Sequence, residues 1–105
     1  MNKAQVILEQ LGGNKFLVMT GAKDLMNGGD YLSFKLPRGF AANGVNLVKI
    51  TLDTSDTYTV EFMKYNPRSL AVSTVRRVES VHAPELRQVF THNTGLEVSL
   101  GTLRG

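Results

Sequence analysis

Few residues in this chain are of types that do chemistry, and their spacing gives most of them no shared task. The two histidines, His82 and His92, stand ten residues apart near opposite ends of one predicted helix. At the helical rise their side chains are about 15 Å apart, too far to share a metal ion. Cysteine is absent, which removes disulfides, thiolate nucleophiles and thiolate-held metals. Ser33, Ser55, Ser69, Ser73, Ser80 and Ser99 read as strand or turn residues, none in a nucleophile-elbow context. The carboxylates from Glu9 to Glu97 form no pair suited to acid and base roles. Gly12-Gly13-Asn14-Lys15 and Gly21-Ala22-Lys23 set glycine backbone ahead of a lysine, as anion-cradling loops do. Neither has two glycines separated by four residues and followed by Lys-Ser/Thr, and both read as helix-stop or turn segments. These residues predict a non-enzymatic protein with no cofactor and no metal.

Charge is the remaining signal. The net charge is +3 and the sequence pI about 9.5, a balance that favours anionic partners. The twelve lysines and arginines are spread along the chain, with Arg76-Arg77 the only adjacent pair. A solvated mixed-charge surface is the preferred account of this distribution, ahead of a nucleic-acid or acidic-protein footprint.

The elements that must position these residues are legible between Tyr31 and Tyr65. Leu32, Phe34 and Leu36 alternate with Ser33 and Lys35, the period of a strand with one buried face, and Pro37 ends it. Val48, Ile50 and Leu52 alternate with Lys49 and Thr51, and Tyr58, Val60 and Phe62 with Thr59, Glu61 and Met63. The Asp53–Thr57 link is rich in turn residues and of hairpin length. Matching the core faces predicts Leu52 opposite Tyr58, Ile50 opposite Val60 and Val48 opposite Phe62. Lys49 then faces Glu61 and Thr51 faces Thr59 on the outer side, each pair contributing about 0.2 to 1 kcal/mol. A slip of one residue would turn the apolar set outward.

Around this centre, Asn2–Leu11 carries Ala4, Ile7, Leu8 and Leu11 on one helical stripe, with Asn2 as cap and Gly12 as stop. Lys15–Ala22 is an apolar run without alternation, which predicts a strand covered on both faces. Asp24–Asp30 reads as a flexible turn region. The Pro37–Val45 loop sets Arg38 beside Phe40, a pairing suited to stacking on a base or filling a partner's pocket, although such a phenylalanine also folds onto a core. Leu70–Ser80 predicts a fifth strand with a bulge near Thr74, which puts Arg76 and Arg77 on opposite faces or at an edge. His82–Thr94 predicts a second helix, with Pro84 and Glu85 in its first turn, Leu86, Val89 and Phe90 on its stripe and Gly95 as stop. Glu97–Gly105 alternates weakly and reads as a short edge strand or a frayed end.

The expected fold is therefore α+β: an antiparallel sheet of about five strands, with a short N-terminal helix and a C-terminal helix packed on one face. The 105 residues suit one domain spanning 1–105. No apolar run approaches the roughly 20 residues needed to span a bilayer, and the N-terminus does not read as a secretory signal. A soluble, unsecreted, cytoplasmic protein with no membrane partner is expected.

The segments LGGNKFLVMTGAK (Leu11–Lys23), LSFKLP (Leu32–Pro37), VNLVKITL (Val45–Leu52), YTVEF (Tyr58–Phe62) and VFTHNTGLEVSL (Val89–Leu100) resemble a family of small uncharacterised proteins encoded in bacteriophages, prophages and related mobile elements. The resemblance implies an accessory protein made inside an infected or lysogenic bacterium, and it carries over no functional residue. Two functions follow as expectations, the first preferred and the second its alternative. One is a binding module for a host or phage protein that modulates replication, transcription or defence, using Phe40, Arg76 and Arg77. The other is a nucleic-acid binder whose outer sheet face gathers Lys35 and Lys49, with Lys15, Lys23 and Arg38 at its margin. The row of aromatics that usually accompanies base stacking is expected to be missing from that face. Oligomeric state is left open.

Overall fold

The computed structural model of the protein describes residues 3–37, 39 and 41–96. Helices α1 (Lys3–Leu11) and α2 (Asn14–Thr20) lead into strands β1 (Lys23–Asn27), β2 (Tyr31–Lys35), β3 (Leu47–Leu52), β4 (Tyr58–Tyr65) and β5 (Val72–Val81), and helix α3 (Leu86–Thr94) follows. The strands form one antiparallel sheet in chain order, β1-β2-β3-β4-β5. Short connections between sequential neighbours make this meander the simplest route for such a chain. The central register is the expected one: Val48 pairs with Phe62, Lys49 with Glu61, Ile50 with Val60, Thr51 with Thr59 and Leu52 with Tyr58. The hairpin closes through Asp56 in the left-handed region, a backbone bond from Asp53 N to Thr57 O of 2.8 Å, and a 2.7 Å bond donated by Thr59 Oγ1 to Asp53 Oδ2.

All three helices cover the same face of the sheet. Leu32, Phe34, Val48, Ile50, Val60 and Phe62 bury against Ile7 and Leu11 of α1, Phe16 of α2, and Leu86 and Phe90 of α3. At the centre the Phe16 ring meets Phe34 and Phe90 edge-on, with centroids 5.3 and 5.1 Å apart. Such geometry adds about 0.5 to 1.5 kcal/mol per pair beyond the area buried. Tyr58 also lies in this core, and burial raises its phenol above the usual pKa of 10.0. No helix among the described residues is long and apolar enough to cross a membrane.

Two expected elements change type while the strand count stays at five. The run from Lys15 to Ala22 is largely helix α2 rather than an interior strand. Phe16 and Thr20, four residues apart, are buried, whereas Val18 is 79% exposed. The run is apolar enough to hide its helical period, and only Val18's exposure reveals it. Gly13 and Gly21 bound the helix, and Gly21 takes the left-handed conformation that closes it. Thr20, sealed in the core, donates its hydroxyl to Phe16 O at 2.8 Å. The segment Asp24–Asp30 is not all turn either: strand β1 runs through Asn27, and only Gly28–Asp30 link it to β2. Every residue of β1 is exposed, so no buried face imprints alternation on its sequence.

The expected fifth strand and C-terminal helix are present, with refinements. Val75 is the unpaired residue of the β5 bulge, between Thr74 opposite Met63 and Arg76 opposite Phe62. A second irregularity follows between Val78 and Val81, with Ser80 at φ 58°. Two such kinks blunt the exposed β5 edge against unwanted pairing. A 3-10 turn, Ala83–Glu85, precedes α3, and the Glu85 carboxylate accepts the His82 N–H at 3.1 Å. The Asn2 cap, Arg38, Phe40 and the Glu97–Gly105 segment lie outside the described residues.

Candidate nucleic-acid interface

With helices on one face, the other face of the sheet is left open, and the strand registers decide what it presents. Outward positions align in rows across the strands. Lys23, Lys35, Leu47, Met63 and Thr74 form one row, and Met26, Ser33, Lys49, Glu61 and Arg77 the next. Tyr31, Thr51 and Thr59 form a third. The parity that turns Phe34 and Phe62 into the core therefore turns Lys35, Lys49, Tyr31 and Tyr65 outward.

Two lysines of this face pair with its two tyrosines. Lys49 Nζ lies 4.4 Å from the centroid of the Tyr31 ring, and Lys35 Nζ lies 4.9 Å from that of Tyr65. Each is a cation over an aromatic face, an arrangement contributing about 0.5 to 1 kcal/mol where water has access. Tyr31 is seated over Gly28, where a Cβ would come within 1.9 Å of the ring. Its hydroxyl points to the Met26 sulfur at 4.0 Å. Tyr65 is fixed through its backbone: its N–H donates to Asn46 Oδ1 at 2.7 Å, and its carbonyl accepts from Asn46 Nδ2 at 2.8 Å. That side chain acts as one more rung of the ladder where β3 has ended.

Of the residues singled out in the sequence, Lys23, Lys35 and Lys49 come together here. Lys23 sits directly across from Lys35, whose ammonium also approaches Asp24 Oδ2 at 3.8 Å. Lys15 does not join them, because it rides on α2 in the opposite layer. Arg76 and Arg77 separate. Arg77 faces outward opposite Glu61 and pairs with Glu79 at 2.9 Å, whereas Arg76 stands opposite Phe62 on the helix side, lining a depression of about 400 Å³ with Gln88 and His92. Among the described residues, no group of three histidines and carboxylates gathers in a way that could hold a metal ion.

No row of aromatics crosses this face among the described residues, but two tyrosines stand at its opposite ends. Tyr31 and Tyr65 stand at the ends of their strands, outside the three-residue apolar runs that define the buried face, yet they share parity with Lys35 and Glu61. That parity was the signal for them in the sequence.

Beyond Tyr65 the face ends in an open groove of about 890 Å³ between the β2–β3 connection and the β4–β5 turn. Among the described residues four cations line it, Lys23, Lys35, Lys64 and Arg68, against the single carboxylate of Asp24. In the turn, Asn66 Oδ1 accepts the backbone N–H of Arg68 at 2.9 Å and holds that residue at the rim. Comparison with models of known protein families, with curated proteins and with solved structures finds no match.

Proposed function

We propose that the protein binds single-stranded nucleic acid on its outer sheet face. The observation that carries this reading is the placement of Lys49 over Tyr31 and Lys35 over Tyr65 on one open surface. Unpaired bases stack on exposed aromatic rings, and neighbouring ammonium groups follow the phosphates between them. Lys23, across from Lys35, extends the cationic track to the β1 edge. Among the described residues the face is a broad sheet with no projecting helix or arm to enter a duplex groove, which favours a single strand over a double one. The resemblance to phage and prophage proteins fits such a partner, since replication and transcription expose single strands.

Titration of single- and double-stranded oligonucleotides at two salt concentrations tests the proposal. Micromolar or tighter binding of the single strand, weakening steeply with salt and reduced by Lys35→Glu and by Lys49→Glu, is the expected outcome. Absent binding, or binding indifferent to both substitutions, would overturn it.

A host or phage protein as partner is the second reading, and one observation favours it. The two open sheet edges carry exposed apolar side chains, Met26 at 58% and Val72 at 51%. Capture from the natural host of a stoichiometric partner released by Val72→Lys would support it. Of the residues expected to serve it, Arg76 and Arg77 occupy opposite faces.

A further inference from the structure

The groove at the end of the sheet differs from the face that leads to it. On the face, the lysine and arginine of the central row alternate with acid: Glu61 lies between Lys49 and Arg77. In the groove, the only carboxylate among the described residues that line it with Lys23, Lys35, Lys64 and Arg68 is Asp24, whose side chain is 61% exposed and 3.8 Å from Lys35. Lys64 is braced against Gly44, where a Cβ would fall within 2.4 Å of its Cε, so its stem lies along the β2–β3 connection. Arg68 is held on the opposite rim by Asn66. Tyr65, the last aromatic of the outer face, lines the same groove.

We infer that this groove takes the terminal phosphate monoester of a strand bound on the outer face. The inference rests on the single-strand reading above. A base stacked on Tyr65 brings the phosphate attached to it to the groove, where the sheet stops and two loops rise. A monoester carries up to two negative charges near neutral pH, against one for a phosphodiester. The excess of cations over carboxylates therefore suits a chain end better than an internal linkage. Lys35 serves both regions, reaching the Tyr65 ring and lining the groove, whereas Lys64 and Arg68 belong to the groove alone.

Oligonucleotides of one sequence ending in hydroxyl, in 5′-phosphate or in 3′-phosphate provide the test, read by fluorescence anisotropy on the whole protein. One phosphorylated form should bind tighter than the hydroxyl form by on the order of tenfold, the scale of a charge-assisted contact. Arg68→Gln and Lys64→Gln should each remove most of that advantage while leaving the hydroxyl-ended strand within about twofold of wild type. Equal affinity for all three strands, with Lys49→Glu still weakening every one, would overturn the groove assignment and spare the face. Failure of every strand to bind would overturn both. Inorganic phosphate serves as a separate arm, followed by NMR at Lys64 and Arg68. If it perturbs these residues while no terminal-phosphate advantage exists, the groove is a site for the free anion and the inference falls.

Discussion

The ammonium of Lys49 stands over the Tyr31 ring, on the diagonal across β2 and β3, although Glu61 is its direct neighbour on β4. No ion pair joins Lys49 to Glu61 among the described residues, so the charge pairing that the register alone suggests gives way to a cation–aromatic contact. The lysine thus marks Tyr31 as a platform already suited to a positively charged or π-faced partner. Tyr31→Ala should weaken single-strand binding by about 1 to 3 kcal/mol, the worth of one stacked base, and Tyr31→Phe should retain most of it. Anisotropy titrations of the two variants check this, and unchanged affinity for the alanine form would remove the platform.

The orientation of that ring is itself testable through Gly28. A Cβ there would lie 1.9 Å from one ring carbon of Tyr31 and 2.1 Å from another, so the ring must swing away. Gly28 sits in an exposed turn, and a side chain on the surface can move at modest cost. Gly28→Ala should therefore lower oligonucleotide affinity in the manner of Tyr31→Ala while shifting stability by less than about 1 kcal/mol. Thermal unfolding beside the binding curve separates the two effects. A variant that binds like wild type would show that the ring's seat is irrelevant to recognition.

Helix α2 offers a sharper check on the fold. Phe16 is fully buried against Phe34 and Phe90, and its truncation to alanine should cost about 3 to 5 kcal/mol. Val18, two residues on, is 79% exposed, and Val18→Lys should change stability by no more than about 0.5 kcal/mol. A strand covered on both faces would suffer severely from that charge. Denaturant midpoints for the two variants decide between the geometries.

The same pair of residues explains what the sequence conveys and what it conceals. In β2, β3 and β4 one buried and one wet face write alternation into Leu32–Phe34, Val48–Ile50 and Val60–Phe62, so strand, register and outward lysines are all legible. In α2 the exposed Val18 and half-buried Leu17 are as apolar as the core residues around them, and composition masks the period. In β1 the opposite holds: Leu25 and Met26 are exposed, and backbone pairing alone makes the strand. The platform tyrosines were readable by parity. The groove was not, because Lys23 at the start of β1, Lys64 near the end of β4 and Arg68 in the β4–β5 turn come to line it only through folding.

Asn46 ties the groove to the sheet. Its amide gives and receives one bond each with the Tyr65 backbone, at 2.8 and 2.7 Å. Asn46→Ala leaves a part-buried N–H and C=O of β4 without those partners and should cost about 1 to 3 kcal/mol. Hydrogen exchange should show the loss locally, with the Tyr65 amide released while amides in the middle of β4 stay protected. Uniform loss of protection across the sheet would mean that the pair supports the global fold instead.

Tyr58 gives the fold a dependence on alkaline pH. Its ring is buried opposite Leu52, and desolvation raises the phenol above 10.0 in the folded protein. The unfolded chain releases this proton first as pH rises. Stability from the neutral phenol is therefore complete below about pH 10 and is lost as pH climbs through the folded value. Tyr58→Phe removes the ionisation and keeps the ring. Between about pH 8 and about pH 11 the wild type should lose more stability than the phenylalanine variant, as read by denaturant midpoints. Other alkaline titrations are common to both proteins and cancel in the comparison. Equal losses would show that the phenol reaches water as freely when folded as when unfolded, and that the C-terminal end of β3 and the start of β4 pack less closely than the core they border.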